Sequence, residues 1–477
     1  MATCQVKMRE DRLCGRNIYA HERCILHCEI INKDINLFNS ELSNILEDKS
    51  SEFHDFTRLI FPKDTLFPKL IKKTMFFEFG SVQGGAPFLG VVFEKPVHFG
   101  GTKFHDTADF RDVEFRDEAT FGGCDFVGAA NFLGVTFKAG ATFSGTTFHK
   151  EALFRSATFR GESWFGSSKF VGRASFYSTV FQGSAYFADA VFQSAVSFLS
   201  SRFEAEAVFY NATFKDRASF ADMVFKGRVY LLGANFENRL LISRADDAST
   251  FFENEVDFRQ VKLLKPEMVT LYKVGLHKTR FLLTDLRKVE FLDVDWYKEK
   301  GKGRNKIYDE VSPDPETKSF DYPLIGQVYK RLRANYEENL NYAEAGDFHI
   351  GEMEMRRKGE KNIFNKGIIW LYKLISNYGE SYWLPLGWIA LLLLIFPFLY
   401  MLVGITSSTN VDINQNFETL RDYGSSLTFS LSVFSLVREK PYHTINNLGH
   451  ILTVLESIFS PVMIAFFLLA LRRRFKR

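Results

Sequence analysis

The chain has 477 residues, enough for two or three structural units. Charged residues make up 25% and the net charge is only +3, so much of the surface faces water and the whole chain has no electrostatic bias toward nucleic acid. Phe is the compositional outlier, with 52 copies. The first segment, Met1 to Asp34, is polar and lacks the apolar run of a secretory signal. It holds Cys4, Cys14, Cys24 and Cys28, and the first question about them is metal or disulfide. Soft or borderline ligands crowded in a short polar stretch suit tetrahedral zinc, and a cytoplasmic setting argues against disulfides. Free thiols are the other reading of the same residues. Residues 31–88 are expected to form a helical or irregular cap.

The repeat follows. In residues 117–165, DEATFGGCDFVGAANFLGVTFKAGATFSGTTFHKEALFRSATFRGESWF, Phe stands at Phe121, Phe126, Phe132, Phe137, Phe143, Phe148, Phe154, Phe159 and Phe165. The steps alternate between five and six. The ladder extends from Phe93 to Phe236, with Leu231 replacing Phe once. Two residues before each Phe stands a smaller one, as in Ala119, Cys124, Ala130, Val135, Ala141 and Thr146. This is neither the three-and-four spacing of a helix nor the period of two of a flat strand. It fits a chain that turns a corner after each short extended piece and points one Phe and one small residue inward per face. Gly, Ser, Asn and charged residues make the corners and the outside. Four faces make a coil of about 22 residues, so the ladder predicts six or seven coils stacked at about 4.8 Å.

This ladder resembles the pentapeptide-repeat family in its Phe-centred variant, over about residues 90–260. The resemblance implies a right-handed quadrilateral β-helix over residues 89–262, with the phenylalanines as structural core. The N-terminal segment, CQVKMREDRLCGRNIYAHERCILHC, is similar to a short Cys/His knot found ahead of Phe-type repeats. Matched to that knot, Cys4, Cys14, Cys24 and His27 are the ligands of a structural zinc, with Cys28 as the alternative fourth ligand. Some members of the family mimic DNA with a dense acidic surface. Here Arg155, Arg160, Lys169 and Arg173 offset Asp109, Asp112, Glu114 and Asp117, so neither DNA mimicry nor a nucleic-acid partner is expected.

Residues 263–318 read as a last irregular coil and a basic loop. Residues 319–362, with apolar and small residues at helical spacing broken near 339–342, read as a helix hairpin similar to one tetratricopeptide unit. The same hairpin recurs in pentapeptide-repeat proteins that carry C-terminal membrane spans. Glu344, Asp347, His349, Glu352 and Glu354 cluster there, and too few carboxylates converge for a helix-bundle metal site. A solvated, salt-bridged face is expected. Residues 363–380 are amphipathic and basic, as an interfacial helix is.

Residues 384–477 carry two apolar runs, Leu384–Ile405 and Gly449–Leu471, each long enough to span a bilayer. Trp383, Trp388 and Tyr400 stand where an aromatic belt would. Arg356, Arg357, Lys358, Lys361, Lys366 and Lys373 precede the first span, and Arg472–Arg477 is basic after the second. Both flanks are therefore expected in the cytoplasm: a two-pass inner-membrane protein with both termini inside. Between the spans, an apolar Ser/Thr-rich stretch bearing Ser430, Ser432 and Ser435 is too short to cross. It reads as a re-entrant, pore-like helix. The tail resembles the inner helix of bacterial potassium-channel-like pores, with Pro461 as a kink. LVREKPYH follows where a potassium filter needs a TVGYG-type run, so potassium selectivity is not expected. Glu456 inside the second span reads as a pore-lining carboxylate, or else as a helix–helix polar contact or an interfacial carboxylate.

The expected whole is a multidomain β plus α membrane protein. No phosphate-binding Gly loop, GxSxG or HExxH is present, and no enzyme is expected. Two functions remain. One is a membrane-anchored scaffold, homo-oligomeric, whose solenoid engages an unknown cytoplasmic protein. The other is a gated, non-potassium-selective ion channel regulated by the solenoid.

Overall fold

A computed structural model of the chain describes residues 3–8, 13–20, 23–28, 34–47, 53–61, 70–78, 80–82, 86–245, 251–301, 303–407, 422–435, 437 and 441–475. It divides into two compact units, Met1–Phe320 and Asp321–Arg477.

The first unit is a β-solenoid. Among the described residues its strands, mostly two residues long, form four parallel sheets of 11, 10, 8 and 10 strands, which makes about ten turns. Through most of the ladder each strand pairs with the fourth one after it, one 22-residue coil on, as Ala119 with Ala141 and Phe115 with Phe137. The coil length and the four faces match the Phe spacing. The number of turns does not: six or seven were expected. The sheets already run from Phe53–Asp55 and continue to Glu290–Leu292, into both flanking segments. There the inward positions are held by Ile60, Ile71, Val82, Val256, Val269 and Leu271, which bury as Phe does but do not show in a count of Phe. Among its described residues the expected cap of residues 31–88 therefore holds one helix, α1 (Ile35–Glu47), and then solenoid strands. Asp34 caps α1 through the amides of Asn36 and Leu37, and Phe38 meets Phe61 of the first coil edge-on at 5.9 Å.

The core is an ordered array of rings. Phe121, Phe143 and Phe165 stack one above another at 4.8 and 4.9 Å, within 2° of parallel. Phe132 and Phe154 form the neighbouring column at 4.8 Å and stand at 87° and 88° to the first. Parallel stacking within a column and edge-to-face contact between columns satisfy the ring quadrupole in both directions. Phe126, Phe137, Phe148 and Phe159 fill the remaining columns, and all nine phenylalanines of the 117–165 run are buried. The smaller inward residues serve the corners. Thr146 Oγ1 donates to the Phe121 carbonyl at 2.5 Å and Cys124 Sγ to that of Phe99 at 3.0 Å. Burial pushes the Cys124 thiol well up, so it stays protonated.

Corners recur with the same regularity. A left-handed residue occurs every 11 positions from Gly90 to Gly233, filled only by Gly, Ser, Asp or Asn, as Gly101, Asp112, Gly123 and Ser156. At the other type of corner the limit is space. A Cβ on Gly161 would lie 2.5 Å from the Ala139 carbonyl of the coil below.

The second unit is helical. α2 (Tyr308–Val311) closes the first unit; α3 (Tyr322–Glu338) and α4 (Tyr342–Gly359) form the expected hairpin. Phe348 sits between Tyr329 and Tyr336 at 6.1 and 5.1 Å, and Gly351 leaves room for the Tyr329 ring, 2.6 Å from where its Cβ would stand. Next come α5 (Ile363–Ser376), α6 (Trp383–Val403), α7 (Tyr423–Phe434) and α8 (Asn447–Phe475). Ile405–Ser407 pairs antiparallel with Tyr442–Thr444, which closes the segment between α6 and α8.

Phe159→Ala is expected to cost about 3–5 kcal/mol in chemical denaturation, whereas Thr158→Ala on the outward side should cost under about 0.5 kcal/mol. A loss below about 1 kcal/mol at Phe159 would remove it from the core.

Candidate functional site

Two polar constructions stand out against the apolar framework. The first is in the N-terminal segment, where short antiparallel bridges join Thr3 to Asn17 and Lys7 to Leu13. These bring Cys4, Cys14, Cys24 and His27 together, with one ligand atom from each lying within 4.8 Å of the others. Cys14 Sγ is 3.6 Å from Cys24 Sγ, and His27 Nδ1 is 3.2 Å from Cys24 Sγ and 3.7 Å from Cys4 Sγ. Bonds of about 2.3 Å to sulfur and 2.0 Å to nitrogen place tetrahedral ligands about 3.5–3.8 Å apart, so the group fits zinc. The hydrogen bond from the Cys24 thiol, with further help from His27, favours the Cys14 thiolate, while the same bond and burial push the Cys24 thiol up, so the pair shares one proton. Cys28 is buried but lies outside the converging four, which makes His27 the fourth ligand of this geometry. Four protein ligands leave no open position for a catalytic water.

This cluster also closes the end of the solenoid. The Ile60 amide of the first coil donates to the Leu26 carbonyl at 2.9 Å, and Arg58 donates to the Lys7 carbonyl at 3.0 Å. The knot thus covers backbone groups that an uncapped first coil would present as a bare sheet edge.

The second construction lies among α6, α7 and α8. Glu456 is fully buried. Tyr400 of α6 donates to Glu456 Oε2 at 2.8 Å, and Ser430 of α7 donates to Oε1. Tyr400 also belongs to a buried apolar cluster with Phe396, Ile405, Phe429 and Val433. Within one chain the Glu456 carboxylate thus joins α6, α7 and α8 through Tyr400 and Ser430. Its neighbours are local as well: Ser432 donates to the Phe429 carbonyl and Ser435 to that of Leu431, both at 2.6 Å. Pro461 lies inside α8, which runs through it. Residues 436 and 438–440, where a filter was sought, lie outside the described residues.

The acidic cluster of α4 is only partly the solvated face expected. Arg333 bridges His349 at 3.0 Å and Glu352 at 2.7 Å. Burial and the charges of Arg473 and Arg333 lower His349 to about 4, so it is neutral near pH 7. Glu354 is buried, not solvated. Burial opposes its ionisation, but donors on Lys373 (2.7 Å), Arg357 (2.9 Å) and Tyr378 (2.7 Å) outweigh it and hold the carboxyl down to about 2. Sequence spacing had shown the cluster but not Lys373 and Tyr378, which arrive from α5 and the turn after it.

Comparison with known proteins bears on the first unit. Residues 88–136, 99–147, 132–180 and 176–224 match the family described as "Pentapeptide repeats (9 copies)". The chain therefore contains a pentapeptide-repeat β-solenoid, followed in sequence by a helical region with two long apolar helices. It is similar to the uncharacterized protein MJ1147 of Methanocaldococcus jannaschii, 31% identical over 129 residues, which are 24% of this chain and 28% of that protein. The chain thus spans well under half the length of that relative. No solved structure matches.

Purified protein is expected to carry one zinc per chain by elemental analysis, and Cys24→Ser to lose it. Chelation should open residues 1–30 to protease and leave the solenoid intact; unchanged cleavage after chelation would count against the site. Glu456→Ala strands two buried hydroxyl donors and should lower the melting temperature of the helical unit by several degrees, at about 1–3 kcal/mol.

Proposed function

We propose that the chain is a non-catalytic, membrane-anchored scaffold. In this reading α6 and α8 hold it in a bilayer, the Cys/His knot binds structural zinc, and the solenoid offers a rigid cytoplasmic surface to a protein partner. One observation carries the anchor: the apolar windows of Trp383–Val403 and Asn447–Arg473, of mean hydropathy 2.5 and 2.2, are only 17% and 22% buried within the chain. A soluble protein's core helix of that length would be covered. Leu394, Phe398, Ile451, Val454 and Leu468 instead present their side chains outward, as lipid contact requires.

α5 supports the same reading. Asn362 caps its start, and the helix exposes Ile363, Phe364, Ile368, Trp370 and Leu371. Such a helix with Lys366 and Lys373 on it lies in a headgroup region. The basic residues 356–373 and Arg472–Arg473 put both flanks on the cytoplasmic side.

Gated conduction is the second reading, favoured by the place of α7 in the chain between the two apolar helices. Against it stands Glu456, whose carboxylate is engaged inside one chain by Tyr400 and Ser430.

Alkaline extraction of membranes decides the anchor: the protein should stay with the lipid pellet, and a reporter fused after Arg477 should read cytoplasmic. Recovery in the soluble fraction, or an external reporter, would overturn the reading.

A further inference from the structure

The four outer faces of the solenoid are not alike. On the sheet that starts at Phe53–Asp55, the outward residue of successive coils is His98, Thr120, Thr142, Trp164, Tyr186, Val208 and Tyr230. No charge interrupts this column. The other three sheets place Asp109, Glu114 and Arg202, or Lys103, Asp125 and Lys169, at the equivalent positions. Trp164 and Tyr186 stack at 4.0 Å, and Trp164 is 40% exposed.

One edge of this column is acidic. The residues that precede its strands align through their carbonyls: Glu118, Gly140, Glu162, Ser184, Glu206, Arg228 and Glu255. Glutamate therefore returns at every second coil, a spacing of about 9.6 Å.

The last coils of the same face show what such a surface takes. There the outward column continues with Asp257 and Arg280, and the chain's own segment Tyr308–Glu316 lies over it. Arg280 stacks 5.0 Å from the Tyr308 ring and donates to Ser312, and Arg259 pairs with Asp314 at 2.5 Å. Arg259 and Arg280, which lie beside Asp257 and Glu255, are thus covered by an acidic segment that begins as α2 and continues to Glu316. The coils before them carry glutamate beside aromatic rings, the opposite charge on the same continuous face.

We propose that the face from Glu118 to Tyr230 binds an extended basic segment of a partner protein, whose Arg or Lys side chains stack on Trp164 and Tyr186 and pair with Glu118, Glu162 and Glu206. A polyproline-II chain rises about 3.1 Å per residue with three residues per turn, so a cation at every third residue stays on one face and meets a glutamate at every second coil. Rings beside carboxylates select guanidinium over other cations. This proposal names the surface and partner chemistry of the scaffold reading and rests on that reading for its biological sense, but not for its test.

The test is fluorescence anisotropy with the full chain in detergent and a labelled peptide of five Arg-Gly-Ser repeats. Binding should weaken about tenfold in the Glu162→Gln/Glu206→Gln double variant and about fivefold in Trp164→Ser. Glu151→Gln, which changes an exposed carboxylate of another face, should leave it unchanged, and Arg160→Ala, beside Glu162, should tighten it. A Glu-Gly-Ser peptide should not bind. Equal binding of the acidic peptide, equal loss in Glu151→Gln, or no binding at low ionic strength would overturn the proposal. Because the assay is done in detergent, failure here leaves the anchor standing, and failure of membrane extraction leaves this result standing.

Discussion

Ring stacking at the repeat distance of a parallel sheet governs the first unit. Stacked coils must sit about 4.8 Å apart to pair their backbones. Phe121 over Phe143 stacks at that same 4.8 Å, so backbone pairing and ring contact are satisfied by one translation. The neighbouring column turns nearly perpendicular because parallel rings side by side would set like edges together. Everything outward follows. The Phe spacing sets the coil length, the coil length sets the corners, and one of the two corner types holds only Gly, Ser, Asp or Asn, which tolerate its left-handed backbone, from Gly90 to Gly233. The outer surface is then left for other purposes, including the aromatic column with its alternating glutamates.

A repeat of this kind has two ends, and the chain treats its beginning with care. α1 packs Phe38 on the first coil, and the Cys/His knot supplies a carbonyl to the Ile60 amide. A metal on Cys4, Cys14, Cys24 and His27 would make this an economical cap, since the segment has few apolar side chains with which to hold a shape of its own. At the far end Ser312–Glu316 crosses the last coils and engages Arg259 and Arg280. The helical unit follows a different logic. Its hairpin is held by aromatic packing and by Glu354 with its three donors, whereas α6, α7 and α8 converge on Glu456, Tyr400 and Ser430.

What the sequence disclosed depended on whether a signal repeats. Four faces, 22 residues per coil and the buried Phe columns were all legible, because each is written many times. The first and last coils were not, since Ile60, Val82, Val256 and Leu271 do the work of Phe without its spacing. The corner rule was present in the sequence as Gly, Asp, Ser or Asn two residues after alternate Phe positions, and it can be found once the coil is known. The resemblance to a Cys/His knot named Cys4, Cys14, Cys24 and His27 with Cys28 as the alternative, and the coordinates bring His27, not Cys28, to the other three. Glu456 was conspicuous as a lone carboxylate in an apolar run. Its partners, 56 and 26 residues earlier, were beyond any local pattern.

The central claim is a ring-stacked solenoid carried by two helices that need lipid. Residue-resolved hydrogen exchange of the full chain in lipid nanodiscs and in detergent tests both halves together. The account predicts amides of residues 93–236 to be the slowest in either medium, with protection continuous from coil to coil, and α6 and α8 to gain protection when lipid surrounds them. Rapid exchange at Phe121, Phe143 and Phe165, or helices whose exchange ignores the lipid, would contradict it.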